Sequence, residues 1–271
     1  MNSRLLASSL LERSRLVVAA ALLVVVISSA GYILAGAGTD MSTLGMVSQT
    51  GPAGALLSHA PDVLVPAVWS PGYAVVIFFM WWLMMIAMMV PSAAPAILLF
   101  EALNRNQPLR ATFEFVSGYL IVWGLFSLAA TAIQFLLVAA GLASSMYMTL
   151  GSPYLASAVL VLAGAYQFTP VKAACLTYCR GPADGLSRHR YQGRTAAFRK
   201  GLSLGAYCLG CCWALMLLLF VGGVMNLWWI AGLALYVAVE KLTPFAKPLS
   251  LAFGGALIAA GLVLLVGSIH S

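Results

Sequence analysis

The chain has 271 residues, of which 62% are hydrophobic and only 8% are charged, whereas a soluble domain carries about 25% charged residues. This composition excludes an ordinary soluble globular fold. Five cysteines in apolar surroundings are also too few for a secreted disulfide scaffold. The apolar residues fall into long runs, and about 20 of them cross a bilayer as one helix. The composition therefore predicts an all-α, polytopic transmembrane helix bundle that forms a single domain.

Seven apolar runs, separated by charged or helix-breaking segments, predict seven membrane spans. The predicted spans are residues 16–35, 73–99, 115–140, 154–175, 201–224, 227–242 and 249–269. Residues 1–72 hold the first helix and an outer stretch, and residues 73–271 form a six-helix core with the motifs. Arg13 and Arg15 ahead of the first run imitate a signal peptide, but the run is too long for one, which favours a retained helix.

The basic residues predict how the helices are oriented. If the N-terminus is cytoplasmic, all 14 Lys and Arg residues lie in segments on the inner side, as the positive-inside rule requires. The predicted orientation is N-in and C-out. Topology thus accounts for the net charge of +7, and nucleic-acid binding is excluded because no basic stripe with interleaved aromatic residues is present. The basic loop 177–200 suits anionic lipid head groups.

The second predicted span contains five of the twelve methionines. Its candidate metal ligands are Met84, Met85, Met88 and Met89. Thioether sulfur is a soft ligand that suits Cu(I) and needs no deprotonation. Pro91 removes a backbone donor beside these residues, and broken helices at membrane depth often line binding sites. Methionine is also an adaptable packing residue, so helix packing is the alternative interpretation.

The fifth predicted span carries three cysteines, Cys208, Cys211 and Cys212. Residues at i, i+3 and i+4 fall on one face of a helix. Such a face can offer two or three sulfur atoms to one metal ion. A buried cysteine is ordinarily an inert small hydrophobe, but a cluster of three favours metal binding.

Two further cysteines, Cys175 and Cys179, lie one helical turn apart at the end of the fourth predicted span. Lys172 and Arg180 flank them, and neighbouring positive charge favours the thiolate form. We therefore predict that both thiols are available as ligands or nucleophiles at the inner face. The alternative is an interfacial cap with a snorkelling lysine.

Glu240, next to Lys241, ends the sixth predicted span. Its carboxylate either faces the bundle interior as a ligand, proton acceptor or counter-charge, or forms an interfacial ion pair with Lys241. If Glu240 joined the thiolates, zinc would also be a suitable metal. Counting residues along the helices places the methionine, cysteine and glutamate candidates at a shared depth. This predicts a single soft-metal site or ion path between the bilayer centre and its inner face.

These motifs resemble those of a family of bacterial integral membrane proteins described as predicted metal-binding. The resemblance rests on the sequence MMIAMMVP at 84–91, on residues 166–180 with CLTYCR, on residues 207–226 with CLGCCW, and on Glu240 with Lys241. It covers residues 73–268 and leaves out the first helix and the outer stretch. The resemblance implies a metal-binding role but names no reaction.

The sequence favours a non-enzymatic protein of the bacterial inner membrane that binds Cu(I), with zinc as the alternative metal. Copper would pass between methionine thioethers and cysteine thiolates in transport, delivery or homeostasis. The expected partners are membrane lipid and a periplasmic or membrane cuproprotein or metallochaperone. A P-loop requires Gly-Lys, which is absent from the chain, so this chain does not drive transport with ATP. Two alternatives are a membrane thiol-disulfide electron carrier and a non-catalytic subunit or assembly factor of a membrane complex.

Overall fold

A computed structural model describes residues 69–104, 109–143, 149–181, 195–224 and 226–270, together with Leu23, Ile27 and Gly31. Across these ranges the chain is helical, apart from one isolated bridge between Ala143 and Leu150. The predicted all-α class is therefore confirmed for the part of the chain described. The first predicted span lies outside the described residues except at Leu23, Ile27 and Gly31, which are helical.

The other six predicted spans correspond to helices whose ends lie within several residues of the predicted ends. The helices are α1 (Pro71–Leu103), α2 (Arg110–Ala139), α3 (Pro153–Tyr166), α4 (Pro170–Arg180), α5 (Ala196–Leu217), α6 (Leu219–Gly222), α7 (Leu227–Leu242) and α8 (Ala246–His270). Four segments among the described residues are long and apolar enough to cross a membrane, namely α1, α2, α5 with α6, and α8. The count of seven spans and the N-in, C-out orientation stay predictions.

Polar caps followed by proline define where several helices begin. The side chains of Ser70, Ser152 and Thr169 each accept a backbone N–H from the first turn, and each is followed by proline. Proline suits this position because its missing N–H would be unpaired in any first turn. The Asn226 side chain caps α7 by accepting backbone N–H groups of its first turn. Gly223, three residues earlier, adopts a positive φ of 91°. This short turn separates α7 from α5 and α6, as the sequence predicted.

The fourth predicted span is broken rather than straight. Helices α3 and α4 meet at an angle of 64°, and residues 167–169 connect them. Pro170 cannot continue the preceding helix because its ring clashes with the turn before it and it lacks an N–H. The expectation of one continuous helix over 154–175 is corrected accordingly. The bend lets α4 pack against α5, which carries the three clustered cysteines.

Helix α5 occupies the centre of the bundle. In the most apolar stretch of α5 with α6, 67% of the residues are buried, compared with 22% in that of α8. Glycines allow the close contact between α5 and α2, since a Cβ added at Gly201 would lie 1.9 Å from the carbonyl oxygen of Phe115. Small residues at such crossings let two backbones approach. The clustered cysteines of α5 are consequently held among neighbouring helices instead of lying on the outside of the bundle.

Candidate metal centre

Three cysteines of α5 form a buried face of that helix. Cys208, Cys211 and Cys212 are each at most 2% exposed. The thiols of Cys211 and Cys212 donate to the backbone carbonyl of Cys208, with S···O distances of 3.0 and 2.9 Å. Helix α5 therefore presents three sulfur atoms on one buried face. The Cys208 sulfur also contacts groups from the adjacent helices.

Lys241 of α7 brings a positive charge to this cluster. Its Nζ lies 3.0 Å from Cys208 Sγ, and the residue is only 8% exposed. The hydroxyl of Tyr119, on α2, lies 3.2 Å from the same sulfur. An ammonium group and a hydroxyl beside one buried sulfur stabilise negative charge on that atom. Cys208 is therefore the thiol best placed to serve as an anionic ligand.

Met89 of α1 adds a thioether to the same place. Its Sδ lies 3.9 Å from Cys212 Sγ and 4.0 Å from Lys241 Nζ. Ser92, one turn later, lies 3.2 Å from Lys241 Nζ and donates its hydroxyl to the Met89 carbonyl. Helix α1 thus supplies both a soft sulfur and a hydroxyl that helps to orient the lysine.

Helix α4 contributes a fourth thiol. Cys179 lines the same small cavity as Cys208 and Lys241. Cys175 lies one turn earlier and packs against α5, where a Cβ added at Gly210 would lie 2.8 Å from its sulfur. All five cysteines are free thiols, and the two on α4 are half-buried. The structure therefore joins Cys179 to the cluster and leaves Cys175 beside it.

A cavity of about 70 Å³ adjoins the Cys208 sulfur. A polar cavity needs only about 10 to 15 Å³ to hold one water molecule, so an ion and an incoming ligand atom fit here. Several helices contribute polar or charged side chains to its lining, which are Ser92, Tyr119, Cys179, Arg180, Cys208 and Lys241, and the rest of the lining is apolar. Arg180 is exposed, so this lining extends from the buried thiols to the surface of the bundle.

Glu240 belongs to a separate buried group. Its Oε1 lies 2.7 Å from Lys172 Nζ and accepts a hydrogen bond of 3.0 Å from the Tyr236 hydroxyl. Ser250 also donates to this carboxylate, and Lys172 donates to Gln167 at the bend between α3 and α4. A network of this kind ties the bent span to α7 and α8.

This second group corrects two predictions. Glu240 is fully buried and pairs with Lys172 instead of Lys241, so the interfacial pair proposed for residues 240 and 241 is wrong. Lys172 neutralises Glu240, whereas the sequence placed its charge beside the thiolates of Cys175 and Cys179. The lysine that lies beside a cysteine thiol is Lys241, next to Cys208, and not Lys172.

The remaining methionine candidates lie in the hydrophobic core. Met84, Met85 and Met88 are each at most 3% exposed, and Met89 is the candidate whose sulfur contacts a thiol. Within the described ranges, no group of three or more His, Cys, Asp or Glu side chains is arranged to hold a metal ion. The sulfur cluster described above combines thiols with the Met89 thioether.

Sequence reasoning missed Lys241, Tyr119 and Ser92 as parts of the site. One signal was present for Lys241. Adjacent residues of a helix point about 100° apart and do not face each other. Glu240 and Lys241 at the end of an apolar helix therefore had to find different partners. Tyr119 and Ser92 carry no comparable signal, because a single hydroxyl in an apolar helix fits many packing arrangements.

Residues 78–264 match the family PpoB2, described as a copper chaperone. The match spans more than half of the chain and includes all the cysteines, Met89, Glu240 and Lys241. No curated protein and no solved structure matches the chain. The metal-related function predicted from the residues is therefore confirmed at the level of the family, where it is a copper-related function. The chain belongs to the PpoB2 family of copper chaperones.

Proposed function

We propose that this protein is a membrane-embedded copper chaperone that holds Cu(I) on Cys208, a second thiol and the Met89 thioether. The observation that carries the proposal is the meeting of Cys208, Lys241 and Met89, which come from three different helices. Four segments long and apolar enough to cross a bilayer support the membrane location. The protein binds and transfers its metal and catalyses no reaction.

The ligand chemistry supports Cu(I) as the cargo. Thiolate and thioether ligands select Cu(I) over hard cations. The sulfur atoms of Cys212 and Met89 lie 3.9 Å apart, and a metal–sulfur bond to zinc is about 2.3 Å. Two sulfurs at this separation can bind one ion of similar size with little movement. Cys211 lies one turn from Cys208 on the same helix, and Cys179 lines the cavity beside Cys208, so both can provide further thiols during transfer.

The surroundings of Cys208 support reversible binding. A buried thiolate without a partner costs several kcal/mol of desolvation energy, on the order of what a lone buried ion costs. When copper leaves, Lys241 and Tyr119 remain within hydrogen-bond distance of this sulfur. The emptied ligand therefore keeps stabilising partners, which lowers the cost of releasing the metal.

The cavity beside the cluster supports a route for exchange. Its lining includes the buried Cys208 and the exposed Arg180. An incoming ligand atom from a recipient displaces one sulfur at a time, and the neutral Met89 thioether leaves with the least electrostatic cost. The recipient in this proposal is a periplasmic or membrane cuproprotein or metallochaperone.

Met89→Leu tests the ligand assignment, with Met84→Leu as its matched control on the same helix. Both methionines are at most 1% exposed, and a Met to Leu exchange nearly conserves volume. We expect Met89→Leu to weaken Cu(I) binding by about tenfold or more and Met84→Leu to leave it unchanged. The measurement is anaerobic competition with a coloured Cu(I) chelator, using reduced protein in detergent.

Two results would contradict the proposal. Equal effects of the two leucine variants would remove Met89 from the ligand set. Failure of the reduced native protein to bind stoichiometric copper would reject the copper site as a whole. In that case, trapping of mixed disulfides would test the alternative of a thiol-disulfide carrier.

A further inference from the structure

We infer that Lys241 makes this site selective for monovalent over divalent metal ions. The inference rests on the proposed copper function and deepens it. An ammonium group carries three donors and no lone pair, so Lys241 cannot be a metal ligand. Its role is to set the charge of the buried site, which makes it a specificity-determining residue.

Lys241 is a buried cation whose neighbours are thiols, a thioether and hydroxyls. Its Nζ contacts Cys208 Sγ, Ser92 Oγ and Met89 Sδ at 3.0, 3.2 and 4.0 Å. In the described part of the chain, the buried carboxylate nearest in sequence, Glu240, is engaged by Lys172. The Lys241 charge is therefore available to balance the charge on the thiol cluster.

The charge count of a loaded site depends on the metal. A monovalent ion with two thiolates carries a charge of −1, which Lys241 brings to zero. A divalent ion with two thiolates is already neutral, so Lys241 leaves the site at +1. An unbalanced charge in a buried site costs far more free energy than a balanced one. The lysine therefore favours the monovalent ion and disfavours the divalent ion.

A third thiolate would bring a divalent site beside Lys241 to zero net charge, but it would also place one more charge in a buried site. The thiols of Cys211 and Cys212 donate to the Cys208 carbonyl. A site built on Cys208 and one of these thiols breaks one such hydrogen bond, whereas a third thiolate from the same pair breaks the second one as well. The arrangement therefore suits two anionic sulfurs with one thioether, which is the monovalent case.

The test compares Cu(I) and Zn(II) affinities of the native protein with those of Lys241→Met and Lys241→Arg. We expect Lys241→Met to lower the ratio of Cu(I) to Zn(II) affinity by a factor on the order of 30 or more, because truncating one partner of a buried charged contact has effects of this size. Arginine keeps the charge and should preserve the preference. Lys247→Met, on the exposed surface of α8, is the control and should match the native protein.

Both affinities come from anaerobic chelator competition, and circular dichroism checks that each variant is folded. Lys241→Gln replaces the methionine variant if the latter does not fold, since it keeps a polar group without the charge. An unchanged affinity ratio, or equal effects of arginine and methionine, would overturn the inference and leave the copper proposal standing. Absence of Cu(I) binding by the native protein would overturn both.

Discussion

Cys208→Ser is expected to abolish stoichiometric Cu(I) binding. Cys208 is the sulfur that Lys241 and Tyr119 both contact, at 3.0 and 3.2 Å, and it lines the same cavity as Cys179. A serine hydroxyl is a hard, neutral group that replaces a soft anion. We expect the loss to exceed the effect of removing an outer-shell partner, which is about 10- to 100-fold in metal affinity. Copper content by mass spectrometry after anaerobic loading measures it.

Cys175→Ser is the matched control for this experiment. Cys175 is a half-buried thiol that packs against Gly210, and its exchange removes a sulfur without touching Lys241 or Met89. We expect this variant to bind as much copper as the native protein. Retention of copper by Cys208→Ser, or equal losses in both variants, would show that the cluster around Lys241 is not the copper site.

Breaking the buried ion pair of Lys172 and Glu240 should destabilise the protein strongly. Lys172 and Glu240 are 1% and 0% exposed and lie 2.7 Å apart. Lys172→Met or Glu240→Gln alone leaves one buried charge without its partner, which costs about 3 to 5 kcal/mol in such pairs. The double variant removes both charges and should recover most of this loss. Thermal unfolding of the native protein, the two single variants and the double variant in detergent measures the coupling free energy between the two side chains.

The surface pair between Arg110 and Glu114 provides the comparison. Arg110 Nε and Glu114 Oε1 lie 2.9 Å apart, but the two side chains are 70% and 28% exposed. We expect Glu114→Gln to change the free energy of unfolding by less than about 1 kcal/mol, as exposed pairs do. If Glu240→Gln were equally mild, the buried pair would not hold the bent span in place.

The same Glu240→Gln variant also tests the sequence prediction that Glu240 is a metal ligand. In the structure this carboxylate binds Lys172, Tyr236 and Ser250. Unchanged Cu(I) affinity in the folded variant would assign Glu240 to the helix contacts. A loss of Cu(I) binding without a loss of stability would show that Glu240 is a metal ligand.

Most helices of this protein could be predicted because each one is a continuous apolar run. The hydrocarbon core demands about 20 apolar residues per span, and breakers such as Pro153 and Asn226 stand at helix starts. The bounds of α7 equal the predicted ones, 227–242. The bend between α3 and α4 was harder to predict, because Pro170 interrupts a helix without specifying the direction in which the chain continues.

Most residues of the candidate site could be predicted from motifs that each lie within one helix. Cys208, Cys211 and Cys212 share a face by helical periodicity alone. Their common depth with Met89 and Cys179 came from counting residues. Depth does not specify rotation about each helix axis, so the same counting also admitted Glu240 and three methionines. Of the four candidate methionines, Met89 has its sulfur 3.9 Å from the Cys212 sulfur, whereas Met84, Met85 and Met88 pack in the hydrophobic core.

The sequence by itself determined the helical class, the approximate helix ends and the supply of soft sulfur ligands, because these depend on composition and on local periodicity. The tertiary structure decided which charge meets which partner. Lys241 turns toward Cys208, and Glu240 turns toward Lys172. The physical reason is that neighbouring helical residues point in different directions, and only the packing of separate helices determines what each direction meets.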